Sequence, residues 1–175
     1  KSTDDGSTAV SLADHVNEQF DQSLSWDDID WFKQHWDRKI VLKGIQTVED
    51  AKLSVQHGVD AIALSNHGGR QLDDAPNPID LVRPVSDAVG GQVEIFCDGG
   101  IRRGSDIVKA IALGADACMI GRPFLYGLGS AGEKGVDWVL NFLKEGMHQT
   151  MALLGAKSLT DLQPDLIETR NQIHS

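Results

Sequence analysis

Four short apolar runs, separated by segments of helical periodicity, constrain the fold of this chain more than any other feature. The runs span residues 40–44, 61–66, 93–98 and 117–121. Their apolar side chains are consecutive rather than alternating, which is typical of parallel strands covered by helices on both faces. The pattern therefore predicts an α/β fold in which parallel strands alternate with helices.

Capping signals and apolar stripes mark the helices. Ser25 and Asp28 have the spacing of a capping box, and a second box begins at Thr47. Apolar side chains recur at helical spacing over residues 105–114 and, for longer, over residues 136–154. Core packing is enough to explain these stripes.

One turn is repeated along the chain. Gly58-Val-Asp-Ala-Ile-Ala-Leu resembles Gly114-Ala-Asp-Ala-Cys-Met-Ile, and each string joins the end of a helix to the next strand. The repetition favours a (β/α) barrel, although the residues alone leave a doubly wound sheet open. Because a TIM barrel needs eight strands and the sequence shows four, we predict half of such a barrel.

Composition narrows the functional classes. A length of 175 residues is ordinary for one domain, and a hydrophobic content of 41% supports a core. The formal net charge of −10 argues against binding to nucleic acid. No signal peptide or long apolar run is present, so we predict a cytoplasmic location, with peripheral association at the inner membrane as an alternative. Cys97 and Cys118 lie in apolar runs and are predicted to be buried thiols.

Polar side chains follow the apolar runs, at the end where barrel enzymes carry their reactive groups. Lys43 lies in the first run, and Ser65-Asn-His-Gly-Gly-Arg-Gln71 begins at the end of the second. His67 is a candidate base, and the planar guanidinium of Arg70 suits a substrate carboxylate. A structural hydrogen bond is the alternative role for a single histidine at a strand end. The neighbouring arginine and glycines favour proton abstraction from a hydroxy acid.

The ends of the third and fourth runs predict a phosphate site. Asp98-Gly-Gly-Ile-Arg-Arg-Gly104 opens a helix, and amides at such a glycine-rich turn can bind phosphate, with Arg102 or Arg103 adding charge. Gly121-Arg122 occupies the usual phosphate position of barrels, after the last strand. Either motif alone could be a tight turn with a surface arginine. Together they predict a ligand that carries a phosphate.

Lys43 has two candidate roles, and the other histidines have none in catalysis. The Lys43 ammonium could be a solvated strand cap, or it could stabilise negative charge on an electron-accepting ring. The remaining histidines show no metal-ligand spacing, so we predict no metal site: His15, His35, His57, His148 and His174.

These strings resemble the FMN-dependent 2-hydroxy-acid oxidases and dehydrogenases, a family that includes glycolate oxidase, L-lactate dehydrogenase, mandelate dehydrogenase and flavocytochrome b2. The resemblance runs from about Leu24 to about Leu159, and its most specific part is the string at 65–71. It implies FMN as the cofactor and the oxidation of a lactate-like L-2-hydroxy acid to the 2-keto acid. It also implies that His67 is the catalytic base and that Arg70 binds the substrate carboxylate.

The resemblance implies a set of flavin contacts as well. Lys43 would lie near the N1/O2 edge of the flavin, and Ser65 would contact the flavin. The ribityl chain and phosphate would be held by residues after the last two strands: Asp98, Gly99, Gly100, Ile101, Arg102, Gly121 and Arg122.

Within this family the chain would form the last four βα units of the barrel. Residues 1–23 would be an exposed acidic loop, the end of the mobile loop after barrel strand 4. Residues 24–159 would form the half-barrel, and residues 160–175 a C-terminal extension. The first four strands, the tyrosines beside the flavin and the aspartate that orients the catalytic histidine would lie upstream. We therefore expect the N-terminal half of the same barrel as a partner, and a homotetramer.

Two other functions are compatible with the residues. A barrel could bind FMN or a phosphorylated substrate for different chemistry, as an isomerase or a nucleotide dehydrogenase does, although it would not need His67 and Arg70 together. The chain could also be a half-barrel that is inactive without its N-terminal partner.

Overall fold

A computed structural model describes residues 21 and 23–168 of the chain as two units, one ending at Asp37 and the other beginning at Arg38. The first unit contains helix α1 (Trp26–His35). The second is built on four parallel strands: β1 (Val41–Ile45), β2 (Ala61–Ser65), β3 (Glu94–Asp98) and β4 (Ala117–Met119). Its helices are α2 (Val48–Gln56), α3 (Pro78–Val89), α4 (Gly104–Ala112) and α5 (Arg122–Leu154), followed by the 3-10 turns Leu159–Asp161 and Pro164–Leu166.

The order of the strands is that of successive units of a (β/α)8 barrel. The sheet runs β1-β2-β3-β4, so each strand pairs with the next one in sequence. A doubly wound sheet reverses its strand order at a switch point, and the described sheet has no such reversal. The predicted half-barrel and its four strands are confirmed. β4 ends at Met119, two residues earlier than predicted.

The carboxyl ends of the strands lie level with one another. Ser65 pairs with Asp98 across β2 and β3, and Asp98 pairs with Met119 across β3 and β4. The register between β1 and β2 shifts after Lys43, because Gly44 bulges out with a φ of 97°. Polar side chains at the four strand ends are therefore brought to one edge of the sheet.

Each copy of the repeated turn links the amino ends of two paired strands, at the end of the sheet opposite to the polar side chains. The Asp60 carboxylate accepts a hydrogen bond from the amide of Ile40 (2.8 Å), and the Asp116 carboxylate accepts one from the amide of Ile95 (2.7 Å). The amide of Asp60 also donates to the carbonyl of Ile40, and the amide of Asp116 donates to the carbonyl of Ile95. The two similar strings thus fix the amino ends of neighbouring strands in the same way.

The predicted helix starts are confirmed. The amide of Ser25 donates to the Asp28 carboxylate (2.7 Å) and closes the capping box of α1. The hydroxyl of Thr47 accepts from the amide of Asp50 (3.0 Å) at the start of α2. The third predicted helix, over residues 105–114, is α4, which begins one residue earlier and ends at Ala112.

The last helix begins earlier than its apolar stripe predicts. α5 starts at Arg122 and breaks at Ala131 and Gly132, so the predicted segment at 136–154 is its second part. The two parts pack closely at Gly127 and Gly135, where a Cβ on either glycine would meet the backbone of the other. Although α5 has 33 residues, no helix in the described part of the chain is both long and apolar enough to cross a membrane.

The second unit has a core that continues past residue 159. Leu162 is 4% exposed and packs with Val108, Ala112 and Met151 between α4 and α5. The nine described residues after 159 therefore lie partly against the barrel helices. The predicted exposed loop over residues 1–23 lies outside the described residues, apart from 21 and 23.

The two cysteines are neighbours in the sheet and carry free thiols. Cys97 pairs in register with Cys118 across β3 and β4; the first is buried and the second is half-buried. Burial raises the pKa of Cys97 to about 11 and that of Cys118 to about 12. Both thiols are therefore protonated and unreactive at neutral pH.

Candidate active site

A cleft of about 880 Å³ opens at the carboxyl edge of the sheet. Strands β1, β3 and β4, the loops after β2, β3 and β4, and the start of α5 contribute to its walls. The lining residues are Lys43, His67, Gly68, Arg70, Gln71, Asp98, Gly99, Gly100, Ile101, Arg102, Met119, Ile120, Gly121, Arg122, Pro123, Leu125 and Tyr126.

A polar cluster at the ends of β1, β2 and β3 underlies this cleft. The ammonium of Lys43 lies 2.8 Å from Asp98 Oδ2, and the hydroxyl of Ser65 donates to the same oxygen at 2.6 Å. Ser65 Oγ also accepts from Lys43 Nζ and from the amide of His67, both at 3.1 Å. Ser65 is fully buried, and its hydroxyl links the end of β2 to Lys43 in β1 and Asp98 in β3.

The charge of Asp98 is stabilised by this cluster. Partial burial raises the pKa of the Asp98 carboxyl, but the hydrogen bonds from Lys43 and Ser65 and the Lys43 charge outweigh it and lower that pKa below its ordinary value. Asp98 is therefore ionised at neutral pH, and it holds the Lys43 ammonium at the cleft.

The imidazole of His67 is positioned by the backbone and by a glycine. His67 has a φ of 56°, a left-handed conformation that is unusual for a residue with a side chain. Its ring packs against Gly44, where an added Cβ would lie 2.8 Å from His67 Cε1. His67 Nδ1 is buried and has no hydrogen-bond partner within the described residues. The ring thus lines the cleft with one nitrogen buried and unpaired in this part of the protein.

The turn after β2 is closed by hydrogen bonds among its own residues, and Arg70 takes no part in them. Asn66 Oδ1 accepts from the amide of Gly68, and the carbonyl of Asn66 accepts from the amide of Gly69, both at 3.0 Å. Arg70 is exposed and lines the cleft. Among residues 21 and 23–168 it makes no hydrogen bond or ion pair, so its guanidinium is available for an anion.

The glycine turn after β3 is open towards the cleft. Gly99 and Gly100 have φ values of 123° and 75°, and a Cβ on Gly100 would meet no atom within 4 Å. The amides of Arg102 and Arg103, by contrast, both donate to the Asp106 carboxylate, at 3.0 and 2.9 Å. These two amides are already used to start α4, so a phosphate here would be met by the glycine amides and the arginine side chains.

Arg122 connects the fourth strand end to the turn after the second. It is the first residue of α5, and its Nη2 donates to the carbonyl of Gly68 at 2.8 Å. Both Nη atoms would lie 3.4 Å from a Cβ on Gly68. Arg122 therefore contacts the loop that carries the candidate base, in addition to lining the cleft.

The sequence matches the model of the family described as FMN-dependent dehydrogenase over residues 1–169. The chain belongs to this family. The prediction made from the residue strings is confirmed at the level of the family.

Curated and structural relatives agree with this membership. The chain is 49% identical to 2-hydroxyacid oxidase 1 of Mus musculus over 156 residues, which is 89% of this chain and 42% of the relative. It is 46% identical to L-lactate dehydrogenase of Actinobacillus pleuropneumoniae, over 91% of this chain and 42% of the relative. The chain thus spans less than half the length of these curated relatives.

Solved structures of the family have the same fold. Mandelate oxidase bound to (S)-2-phenylpropionate matches with a TM-score of 0.78 and 42% identity, over 81% of this chain and 42% of that one. Flavocytochrome b2 with sulfite matches with a TM-score of 0.83 and 39% identity, over 87% and 40%. A flavoenzyme of this family is favoured over an isomerase or a nucleotide dehydrogenase.

Most of the predicted site residues meet at the cleft, and the structure adds others. All of the predicted site residues line the cleft except Ser65, which is fully buried, and Arg103, the alternative to Arg102. Sequence reasoning missed Gly44 as the surface on which His67 packs, and Asn66 as the residue that closes the turn. Leu125 and Tyr126 were also missed, because the stripe that predicted α5 begins after them.

Proposed function

We propose that this chain supplies the C-terminal half of an FMN-dependent enzyme that oxidises an L-2-hydroxy acid, such as lactate, to the 2-keto acid. The proposal rests on a candidate base and a candidate carboxylate-binding cation that line the same cleft. The His67 ring is fixed against Gly44, and the uncommitted Arg70 guanidinium lies three residues further along the same loop. A base beside a carboxylate-binding cation is what this oxidation needs.

The residues present fit FMN. Gly99 and Gly100 both have a positive φ, and Gly100 leaves open space, so a ligand can approach the backbone of this turn closely. Arg102 and Arg122 line the same cleft and supply positive charge, which suits a phosphate. Asp98 has a second carboxylate oxygen that can accept from ribityl hydroxyls. We therefore assign the phosphate and ribityl chain of FMN to these residues.

In the proposed reaction, the protein binds, orients and deprotonates the substrate. When bound, FMN supplies the acceptor for the two electrons that the substrate loses. Arg70 holds the carboxylate of the hydroxy acid through its planar pair of donors. His67 takes a proton from the substrate, either from the α-carbon or from the hydroxyl group, and both routes use the same base.

The buried Nδ1 of His67 supports the need for the other half of the barrel. A histidine base accepts a proton on one nitrogen while the other is oriented by a hydrogen bond. Because Nδ1 has no partner within the described residues, the family's orienting aspartate, expected in the N-terminal half, would bind there. Nε2 is then the nitrogen that receives the substrate proton.

Lys43 contributes a fixed positive charge to the cleft. Its ammonium is held 2.8 Å from Asp98 Oδ2, and the side chain remains 41% exposed. An ammonium at this position stabilises negative charge that develops nearby during oxidation of the substrate. We assign Lys43 to the electron-accepting ring for this reason.

Replacement of His67 tests the proposal. In the complete protein, His67→Gln should lower kcat by about 10²–10⁴-fold, because general base catalysis contributes a factor of that size, while FMN stays bound. His148→Gln is the matched control, because His148 is exposed on α5 and does not line the cleft. Near-normal turnover of His67→Gln would exclude His67 as the base.

The assembly and the location of the protein stay predictions. A homotetramer and a cytoplasmic or peripheral inner-membrane location were expected from the sequence. Light scattering of the complete protein and fractionation of the source cells would test them.

A further inference from the structure

We propose that Arg122 is a positioning residue that fixes the loop carrying His67 and Arg70 and couples the order of that loop to the phosphate end of the cleft. The inference rests on the proposed function for the roles of His67 and Arg70. It goes beyond a phosphate contact, because it assigns Arg122 a second task at the base and the substrate clamp.

Within the described residues, one hydrogen bond joins the loop after β2 to an element other than β2 itself. Within the described residues, segment 66–76 makes its hydrogen bonds to itself and to Ser65, apart from the bond from Arg122 Nη2 to the carbonyl of Gly68 at 2.8 Å. That bond crosses from the start of α5 to the residue directly after His67. It is therefore the tie that restrains the loop relative to the last strand.

The loop needs such a restraint because its backbone is strained. His67 adopts a φ of 56°, and left-handed conformations of residues with side chains persist only where the surroundings enforce them. The amide of His67 is held by Ser65 and the amide of Gly68 by Asn66. Arg122 holds the carbonyl that follows, so three consecutive contacts fix the turn on both sides of the base.

The guanidinium of Arg122 has enough donors to bind Gly68 and a phosphate at the same time. It has five N–H donors, and one of them is used by Gly68. The others are available for a phosphate, and Arg122 lines the same cleft as Gly100 and Arg102. A bound phosphate would fix the Arg122 side chain and so hold the turn. By reciprocity, an ordered turn would hold Arg122 ready for the phosphate.

Hydrogen exchange of the flavin-free complete protein tests the structural part of the proposal. Arg122→Lys keeps the charge but loses the fork, so amides 66–70 should exchange about threefold to tenfold faster, as expected for one lost hydrogen bond. Arg102→Lys is the matched control, because the Arg102 guanidinium makes no hydrogen bond within the described residues. In Arg102→Lys, amides 66–70 should exchange at the wild-type rate. Peptides from 82–89 in α3 report whether each variant is folded, and Arg122→Gln replaces Arg122→Lys if the latter is not.

Turnover at saturating FMN separates positioning from phosphate binding. Both lysine variants should bind FMN more weakly. Excess FMN should restore kcat in Arg102→Lys but leave kcat of Arg122→Lys lowered about tenfold, because the base remains misplaced. Unchanged exchange at 66–70 in Arg122→Lys, or full recovery of its kcat with FMN, would overturn the inference. If the wild type and both variants fail to bind FMN, the proposed function is refuted. Hydrogen exchange of the flavin-free protein would still decide the role of Arg122.

Discussion

At the scale of single residues, the position of the His67 imidazole depends on residue 44 being a glycine, which has no side chain. A Cβ on Gly44 would lie 2.8 Å from His67 Cε1, and the φ of Gly44 is 97°. Gly44→Ala should therefore displace the ring as well as strain the bulge of β1. We expect kcat of the complete protein to fall about 10²-fold, since a displacement of about 1 Å can have that effect.

The control for this prediction is Gly91→Ala. Gly91 also has a positive φ, 77°, but an added Cβ would meet no atom within 4 Å. Both alanines should lower the free energy of unfolding by about 1–2 kcal/mol through backbone strain. An equal loss of kcat in both variants would contradict a specific contact between Gly44 and His67.

The ionised Asp98 makes stability depend on pH. Its pKa is lowered in the folded state, so its contribution is present above the unfolded value of about 3.9 and is lost as pH falls through the folded pKa. Asp98→Asn should remove that contribution, which is about 1 kcal/mol or less because Lys43 is 41% exposed. Urea unfolding of both proteins should show a stability difference that is largest at neutral pH and shrinks below pH 4. A constant difference would contradict the assignment.

Most residues of the candidate site could be predicted from the sequence, but the contacts between them could not. His67, Arg70 and the glycine turn stand out because polar groups after apolar runs have no use in a core. The burial of Ser65 was not predictable, because it depends on how three strand ends meet. The contact between Arg122 and Gly68 joins residues 54 positions apart. Such a contact leaves no local pattern in the sequence.

At the scale of elements, the two parts of α5 are held together by glycines. A Cβ on Gly135 would lie only 1.9 Å from the carbonyl oxygen of Gly127, so the two parts of the helix could not pack as closely. Gly135→Ala should lower the free energy of unfolding by about 1–3 kcal/mol, as overpacking does. Because α5 begins at Arg122, its displacement should also weaken FMN binding.

Gly129→Ala is the control for the α5 prediction. Gly129 lies in the first part of the same helix, and an added Cβ would meet nothing within 4 Å. Alanine is the better helix former by about 0.5–1 kcal/mol, so this variant should be slightly more stable than the wild type. Thermal melts that show the same loss for both variants would argue against close packing at Gly135.

The elements were predicted where periodicity was clean. Strands β1 to β4 were recognisable because each is a short apolar run, and α2 because a capping box precedes it. The first part of α5 was not predicted, since Gly127 and Gly129 interrupt its apolar pattern. The break falls at Ala131 and at Gly132, whose positive φ of 59° is a conformation that glycine adopts readily.

At the scale of the whole molecule, the described sheet has two unpaired edges. β1 and β4 each have one neighbour in the described sheet, and Val41 and Met119 on them are 46% and 37% exposed. Exposed strand edges and apolar side chains favour association with another chain segment. The half-barrel could be predicted by counting strands, but which segment covers these edges cannot be read from the strands themselves.

We predict that the N-terminal half of the barrel covers both edges. Mixed with that half, the chain should form a 1:1 complex that binds FMN, whereas the chain alone should self-associate and bind FMN weakly. Size-exclusion chromatography with light scattering and flavin fluorescence would measure both properties. A monomeric chain that binds FMN tightly and is fully active by itself would refute this requirement.

We propose that the cleft oxidises an L-2-hydroxy acid and that bound flavin accepts the two electrons. To test this, the complete, FMN-loaded protein is mixed anaerobically with L-lactate, glycolate or L-mandelate while the yellow absorption band of the oxidised flavin is followed. We predict rapid bleaching with at least one of these acids, and bleaching slowed by about 10²-fold or more in His67→Gln. A persistent band with all three acids, in protein that holds FMN, would contradict the claim.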